Sequence, residues 1–189
     1  MPSQTPQSDL FAAPSPVRSL FFALLPDADT RARIEAAARA TVASARMTAP
    51  HRLHVTLLYL GESAGANPRW IAAARRAADA VAVSAFEATF DRVASFRGAP
   101  PPCVLLGDDA SNAPLHAFRA ALHAAALAQG LREAGRTAFV PHVTLARPQQ
   151  ALPEAVAVQP IHWPVRAFSL LHSVRGQSDY ERLGTWPLG

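Results

Sequence analysis

The hydrophobic and polar positions of this chain follow two different periods, which predict a mixture of helices and strands. Apolar residues spaced three and four apart predict helices over residues 30–44, over about 68–83 and over 113–129, and Gly130 is placed to end the third. Short runs rich in branched and aromatic residues, bounded by Gly and Pro, predict strands. The predicted strands are residues 17–25, 54–60, 86–93, 103–107, 139–147, 165–174 and 180–186.

The remaining stretches are predicted to be irregular. Residues 1–16 are rich in Pro, Ser and Gln, so we expect a disordered tail before a single domain over residues 17–189. Residues 149–164 contain three Pro and few charges, which predicts a surface loop. The tail lacks the basic start and long apolar core of a signal peptide, and no apolar stretch is long enough to span a bilayer. We therefore expect a cytoplasmic protein.

One tetrapeptide, His-Val-Thr-Leu, occurs twice, beginning at His54 and at His142. The composition alone predicts roughly 0.3 His-x-Thr triplets, so two identical copies indicate a repeated structural unit. Each copy lies in a predicted strand, where residues i and i+2 share a face. The His and Thr of each copy should therefore project together, roughly 6.5–7 Å apart, while the Val and Leu point into a core. A single copy would more often be an ordinary strand with a satisfied His.

The paired motifs resemble those after which the 2H phosphoesterases are named, and the chain looks most like the RNA 2′,3′-cyclic phosphodiesterase branch of that family. The resemblance implies an α+β fold that is bilobal, with a pseudo-two-fold pair of similar α/β halves whose antiparallel sheets face a central cleft. Periodicity alone gives only a mixed α/β protein. Tyr59 stands where relatives usually have Phe. The resemblance covers roughly residues 18–188 and is carried by residues 18–24, 57–61, 141–147, 173 and 180–188.

Hydrolysis of a cyclic phosphate explains why two such motifs would be needed. Water must be deprotonated on one side of phosphorus while the departing ribose oxygen is protonated on the other. We propose His54 and His142 as this acid/base pair, because an unperturbed imidazole both takes and gives a proton near neutrality. The hydroxyls of Thr56 and Thr144 would hydrogen-bond the non-bridging oxygens, whose charge grows in the transition state. The sequence leaves open which His is the acid and which the base.

Two further candidates follow the two His at the same offset of five residues. Tyr59 is a candidate to stack on a nucleobase, and the alternative is an aromatic residue of the core or of the interface between the lobes. Arg147 is a candidate to contact phosphate or base, and the alternative is a solvated charge at a strand end. Tyr180 ranks below both, and Ser173 is a weaker candidate than either Thr.

We expect no metal and no cofactor. His51 precedes His54 by three residues, but no carboxylate or Cys follows at a ligand spacing. The lone Cys103 lies in an apolar run and is expected to be buried and inert. The formal charge of +4 suits a polyanionic ligand only weakly. All 18 basic residues are Arg, which suits phosphate but equally reflects coding bias.

The expected protein is a monomeric, metal-independent enzyme that hydrolyses the terminal 2′,3′-cyclic phosphate of RNA to a 2′-phosphate. Its partners would be RNA ends or nucleotides bearing a cyclic phosphate, with no membrane, and the regiochemistry rests on the resemblance alone. The same site could instead act on a small cyclic nucleotide, an ADP-ribose cyclic phosphate or a 2′-5′ linkage. A non-catalytic RNA-binding module is a further alternative. The two complete motifs argue against it, since a binder has no use for two proton-transfer groups.

Overall fold

The computed structural model describes residues 16–42, 45–131 and 138–189. Within these ranges, eight strands, three α-helices and a short 3-10 helix confirm the α+β class. In chain order they are β1 (Val17–Leu24), α1 (Ala28–Val42), the 3-10 helix (Pro50–Arg52), β2 (Val55–Ala64), α2 (Pro68–Asp79), β3 (Phe86–Ser95), β4 (Cys103–Leu106), α3 (Ala113–Ala128), β5 (His142–Ala146), β6 (Val156–Val165), β7 (Ala167–Val174) and β8 (Tyr180–Pro187).

The strands form one antiparallel sheet in the order β6-β3-β4-β5-β2-β1-β7-β8. The two motif strands, β2 and β5, are neighbours at its centre. On one side the chain runs β1, α1, β2, and on the other it runs β4, α3, β5. This repeat of strand, helix and motif strand gives the two similar halves that the resemblance implied. Their two four-stranded sheets are joined edge to edge where Val55 pairs with Val143.

Residues that match the geometry of helix ends set the bounds of the helices. Asp27 caps α1, because its carboxylate accepts a hydrogen bond of 2.8 Å from the backbone N–H of Thr30. Asn67 caps α2 in the same way, and Pro68 occupies the first helical position. Gly130 follows α3 with a φ of 81°, as its predicted role at the helix end requires. The last two residues of the first predicted helix, 43–44, lie outside the described residues.

The three helices cover one face of the sheet. Ile34 of α1, Ala74 of α2 and Phe118 of α3 are fully buried and belong to one large hydrophobic cluster with the strand residues of that face. A second, small cluster is centred on Phe21 and Leu171 and lies apart from it. Because side chains alternate along a strand, this small cluster marks the opposite face, which the helices leave uncovered.

The prediction of a loop over residues 149–164 is wrong for its second half. Val156–Val165 forms β6, which pairs with β3 from Val93 to Phe86. β6 is one of the two edge strands, and an edge strand tolerates Pro160 and Pro164 because their missing N–H groups need not join a ladder. The same prolines hid the strand from pattern analysis.

The described part of the chain begins at Pro16, so residues 1–15 of the predicted tail lie outside it. Pro16 itself accepts a hydrogen bond of 3.0 Å from the backbone N–H of Gly65. No helix in the described ranges is long and apolar enough to cross a membrane.

Candidate active site

The two motifs meet at the centre of the sheet. Val55 of β2 pairs with Val143 of β5, and both side chains are fully buried on the helix side. The His and Thr that flank each valine therefore project from the opposite, uncovered face. The four polar side chains together are the motif cluster, which comprises His54, Thr56, His142 and Thr144.

The register of the two strands sets the arrangement inside the motif cluster. Because β2 and β5 are antiparallel, the Val55–Val143 pair places His54 opposite Thr144 and Thr56 opposite His142. Opposite residues in such a pair have Cβ atoms about 4.5–5.5 Å apart. Each His thus lies across the strand pair from the Thr of the other motif. This arrangement brings two imidazoles and two hydroxyls together on one face, which is a donor set that suits a small anion.

Both motif strands contain a register shift at the residue after the Thr. β1 pairs with Thr56 and then with Leu58, which leaves Leu57 as an extra residue. β4 pairs with Thr144 and then with Ala146, which leaves Leu145 as the extra residue. An extra residue of this kind inverts the alternation of faces beyond it.

The two shifts decide where the residues five positions past each His point. In a regular strand an odd offset would turn Tyr59 and Arg147 away from the His and into the core. The extra residues return both to the face of the motif cluster. Tyr59 pairs with Phe21 on that face, and its side chain is 45% exposed. Arg147 lies one residue past the end of β5 and is exposed.

The backbone fixes the orientation of both imidazoles in the same way. The Nδ1–H of His54 donates to the carbonyl of Arg52 at 2.7 Å, and that of His142 donates to the carbonyl of Val140 at 2.8 Å. Each carbonyl lies two residues before its His. With Nδ1 committed, Nε2 is the atom left to take or give a proton. The Nε2 of His54 lies 3.1 Å from the hydroxyl of Thr56, which donates to it when the ring is neutral.

The surroundings of the two imidazoles differ. The ring of His54 packs against those of Phe21 and Tyr180, with centroids 5.4 and 5.3 Å away, and these two rings are themselves 5.4 Å apart. The ring of His142 has Phe96 at 5.0 Å and a more exposed setting. Burial lowers the pKa of His54 below the usual 6.5, the bond to the Arg52 carbonyl partly offsets this, and positive charge on His142 and Arg52 lowers it further. A charged His142 therefore favours a neutral His54.

The 3-10 helix before the first motif holds the β7–β8 turn against His54. The guanidinium of Arg52 lies 4.3 Å from the ring centroid of Tyr180 and donates to the carbonyl of Ser178 at 2.8 Å. His51 lies 3.2 Å from a carboxylate oxygen of Asp179. His51, whose spacing from His54 resembled a metal site, thus contacts this turn.

The structure changes the ranking of the secondary candidates. In the sequence analysis Tyr180 ranked below Tyr59, but Tyr180 contacts the ring of His54 directly. Tyr59 is further from His54, because it pairs with Phe21 at the next position along the sheet. Burial raises the pKa of the Tyr180 hydroxyl, and the nearby Arg52 partly offsets this. Ser173 pairs with Tyr180 at the margin of the same face. The order of the two tyrosines relative to His54 is therefore the reverse of the sequence ranking.

Three residues around the motif cluster escaped the sequence analysis. Phe21 could have been found, because its alternation with the core residue Phe22 places it on the opposite face of β1. Arg52 lies two residues before His54 and is on the same side of the chain. It belongs to a short 3-10 helix, whose three residues show no pattern of apolar and polar positions in the sequence. Phe96 follows the end of β3, and no local pattern links it to His142.

Cys103 and a possible metal site are the remaining features considered in the sequence. Cys103 is fully buried on the helix side, and burial raises the pKa of its thiol, as expected of an inert cysteine. Over the described ranges, no three His, Cys, Asp or Glu side chains come close enough to hold a metal ion.

Comparison with known proteins gives a family match over the region that contains both motifs. The sequence model of the 2′-5′ RNA ligase superfamily matches residues 25–177, which include both motifs. The chain belongs to this superfamily. The match confirms the resemblance to the 2H phosphoesterases that the two motifs indicated. Membership assigns the chain to phosphoester chemistry, by hydrolysis or by ligation.

Solved structures of similar proteins share the whole fold. E. coli LigT in its apo form is 27% identical with a TM-score of 0.72, covering 92% of this chain and 99% of LigT. E. coli LigT complexed with 3′-AMP is 27% identical with a TM-score of 0.69 and the same coverage. TT0787 of Thermus thermophilus is 25% identical with a TM-score of 0.66, covering 90% of this chain and 97% of TT0787. No curated protein gives a match.

Proposed function

We propose that this 2′-5′ RNA ligase superfamily member hydrolyses the terminal 2′,3′-cyclic phosphate of RNA to a 2′-phosphate, without a metal ion. The observation that carries the proposal is the motif cluster itself. Two imidazoles, each tied by Nδ1 to a backbone carbonyl, present Nε2 from neighbouring strands, and each lies opposite a hydroxyl of the other motif. This is the set of groups that an in-line displacement at phosphorus needs.

The burial of His54 supports one assignment of the two proton-transfer roles. His54 is the base, because burial lowers its pKa and favours the neutral form that accepts a proton. Its Nε2 takes a proton from the attacking water as the new P–O bond forms. His142 gives its proton to the ribose 3′-oxygen as the bond from phosphorus to that oxygen breaks. The products are a 2′-phosphate and a free 3′-hydroxyl, and a proton exchange with water restores the pair.

The remaining residues of the face bind the substrate. Thr56 and Thr144 donate hydrogen bonds to the non-bridging oxygens, which carry more charge in the transition state than in the ground state. Tyr59 offers its exposed ring to a nucleobase, and Arg147 offers its guanidinium to a phosphate or base. A single chain supplies both motifs, so we propose that the enzyme acts as a monomer.

The relatives support a nucleotide substrate. E. coli LigT has been solved in complexes with 3′-AMP, with phosphate and with ATP. This chain has the same fold over nearly its whole length. A ligand that contains both phosphate and a nucleobase therefore suits a face that combines the motif cluster with Tyr59 and Tyr180.

A second candidate is the formation or cleavage of a 2′-5′ linkage, which the name of the matched superfamily favours. The same atoms would serve, with a 5′-hydroxyl in place of water. One assay separates the candidates: the protein is incubated with an oligonucleotide ending in a 2′,3′-cyclic phosphate, with a small cyclic nucleotide, with an ADP-ribose cyclic phosphate and with a 2′-5′-linked dinucleotide. Conversion of the first to a 2′-phosphate supports the proposal. Binding of the oligonucleotide without turnover of any substrate would instead indicate an RNA-binding module.

A further inference from the structure

A pocket at the end of β5 contains two arginines that face each other. The pocket has a volume of about 560 Å³, and its polar lining includes Arg46, Arg147, Gln149 and Gln150. An isolated antiparallel bridge joins Met47 to Ala146. This register places Arg46 directly opposite Arg147, on the side of the chain away from the Met47–Ala146 pair. We call this space the β5-end pocket.

Among the residues that the structure describes, none compensates the charges of the β5-end pocket. The side chains of Arg46 and Arg147 make no hydrogen bond or ion pair with another described residue, and both residues are exposed. Like charges directly opposite each other in a sheet are unfavourable. A bound anion would remove this repulsion, and two guanidinium groups with two neighbouring side-chain amides are donors that suit phosphate oxygens.

The β5-end pocket is also close to the motif cluster. Arg147 is three residues past Thr144, which corresponds to about 10 Å along a strand. Arg46 lines a second pocket, of about 420 Å³, together with His51 and Arg52. Arg52 in turn contacts Tyr180, which packs on His54. Arg46 therefore lines both pockets, and the second pocket is connected to the first imidazole through Arg52 and Tyr180.

We propose that the β5-end pocket binds a second phosphate of the substrate, namely the phosphodiester next to the reacting end of a single-stranded RNA. The enzyme would then select an oligonucleotide over a mononucleotide, and Arg46 would be a specificity-determining residue. This inference rests on the proposed function for the reaction at the motif cluster. Two observations carry it: the two arginines have no side-chain partner among the described residues, and Arg147 lies only three residues past Thr144.

The test compares substrates with and without the second phosphate. Values of kcat/KM are measured for a nucleoside 2′,3′-cyclic phosphate, for the same compound with a 5′-phosphate, and for a dinucleotide ending in the cyclic phosphate. The dinucleotide should be preferred by the unaltered protein. Arg46→Gln should reduce that preference about tenfold, as expected for one charge-assisted hydrogen bond. It should also reduce the slope of log(kcat/KM) against log salt for the dinucleotide by about 0.7.

Arg69→Gln is the matched control, because Arg69 is an exposed arginine on α2. It should leave both the activity and the substrate preference unchanged. If Arg46→Gln reduces kcat/KM equally for nucleoside and dinucleotide, or for neither, the inference is wrong. If Arg46→Gln lowers kcat/KM only for the nucleotide with a 5′-phosphate, the pocket binds a terminal phosphate. That result would also contradict the proposed preference for an oligonucleotide.

A binding measurement keeps this inference separate from the proposed reaction. Calorimetry gives the Kd of a dinucleotide ending in a 2′-phosphate and of a nucleoside 2′-phosphate for the unaltered protein and for Arg46→Gln. A dinucleotide affinity about tenfold weaker in the variant, with similar nucleoside affinities, supports the pocket even if no cyclic phosphate is hydrolysed. Equal affinities in the two proteins overturn the inference even if the hydrolysis is confirmed.

Discussion

Val55 lies directly opposite Val143, and this pair joins the central strands β2 and β5. Both side chains are fully buried, so the junction is apolar on the helix side and polar on the other. The His and Thr beside Val55 belong to one half of the sheet, and those beside Val143 belong to the other. Neither half therefore contains a complete site, and activity should require the intact sheet.

The first prediction concerns the two imidazoles. His54→Ala and His142→Ala should each lower kcat/KM by at least about 10²–10⁴-fold, the usual contribution of general acid–base catalysis. The double variant should lose far less than the product of the two losses, because both groups act on one displacement. Activity should also survive EDTA. Steady-state kinetics on folded variants, with and without the chelator, measures all three effects.

His162→Ala is the matched control for these variants, since His162 is an exposed imidazole on β6 that contacts Glu87. It should retain full activity. A loss in EDTA that added metal restores, or near-normal turnover by either single variant, would contradict the two-histidine mechanism.

The second prediction concerns the pH dependence. If His54 is the base, kcat/KM falls as pH drops through its pKa, and burial places this acidic limb below 6.5. Tyr180→Ala removes a ring that buries His54, so the limb should move upward towards 6.5. Tyr180→Phe keeps the ring and should leave the limb in place. A pH–rate profile in which the alanine variant shifts downward or not at all would count against His54 as the base.

The third prediction separates binding from proton transfer. Tyr59→Ala and Arg147→Ala should each lower kcat/KM about tenfold to a hundredfold, because stacking on a base is worth about 1–3 kcal/mol and one charge-assisted hydrogen bond a similar amount. Tyr59→Phe keeps the stacking ring and should lose little. The ranking fails if either alanine variant is as inactive as His54→Ala while remaining folded.

The fourth prediction concerns the hydroxyls of the motif cluster. Thr56→Ala and Thr144→Ala should act mainly on kcat, because a group that stabilises the transition state more than the ground state changes kcat rather than KM. Thr→Ser at each position retains the hydroxyl and should keep most of the activity. Measured kcat and KM values for the four variants test whether the change is in kcat. A change in KM alone would indicate that the hydroxyls only bind the ground state.

The fifth prediction concerns the chain start. Residues 1–15 lack an apolar pattern that could pack on the domain, so their deletion should leave the melting temperature and kcat/KM unchanged. Pro16 is retained, because its carbonyl accepts a hydrogen bond from Gly65. A fall in melting temperature of several degrees would show that the deleted segment docks on the domain.

The motif cluster could be predicted because its signal is local. Alternation along a strand places His54 with Thr56 and His142 with Thr144 whatever the rest of the fold does. The repeat itself indicated two similar units. That the two strands are direct neighbours, with Val55 against Val143, depends on the register between distant segments and came from the structure.

Other parts of the fold depend on long-range pairing that a single sequence does not display. β6 contains two prolines and is stable only because β3 supplies a ladder on one side. The extra residues Leu57 and Leu145 look like ordinary apolar positions, and only the pairing with β1 and β4 shows that they interrupt the register. Phe96 approaches His142 through tertiary contact alone.

The carbonyl partners of the two imidazoles have a consequence for how the site meets its substrate. A carboxylate in the same position would orient the ring equally well, but it would bring a formal negative charge close to an incoming phosphodiester. The carbonyls of Arg52 and Val140 orient the rings with neutral dipoles instead. Since these acceptors belong to the main chain, no side-chain substitution at either position can delete them. The orientation of the proton carriers is thus protected against mutation, and the approach of an anion meets no opposing charge from their partners.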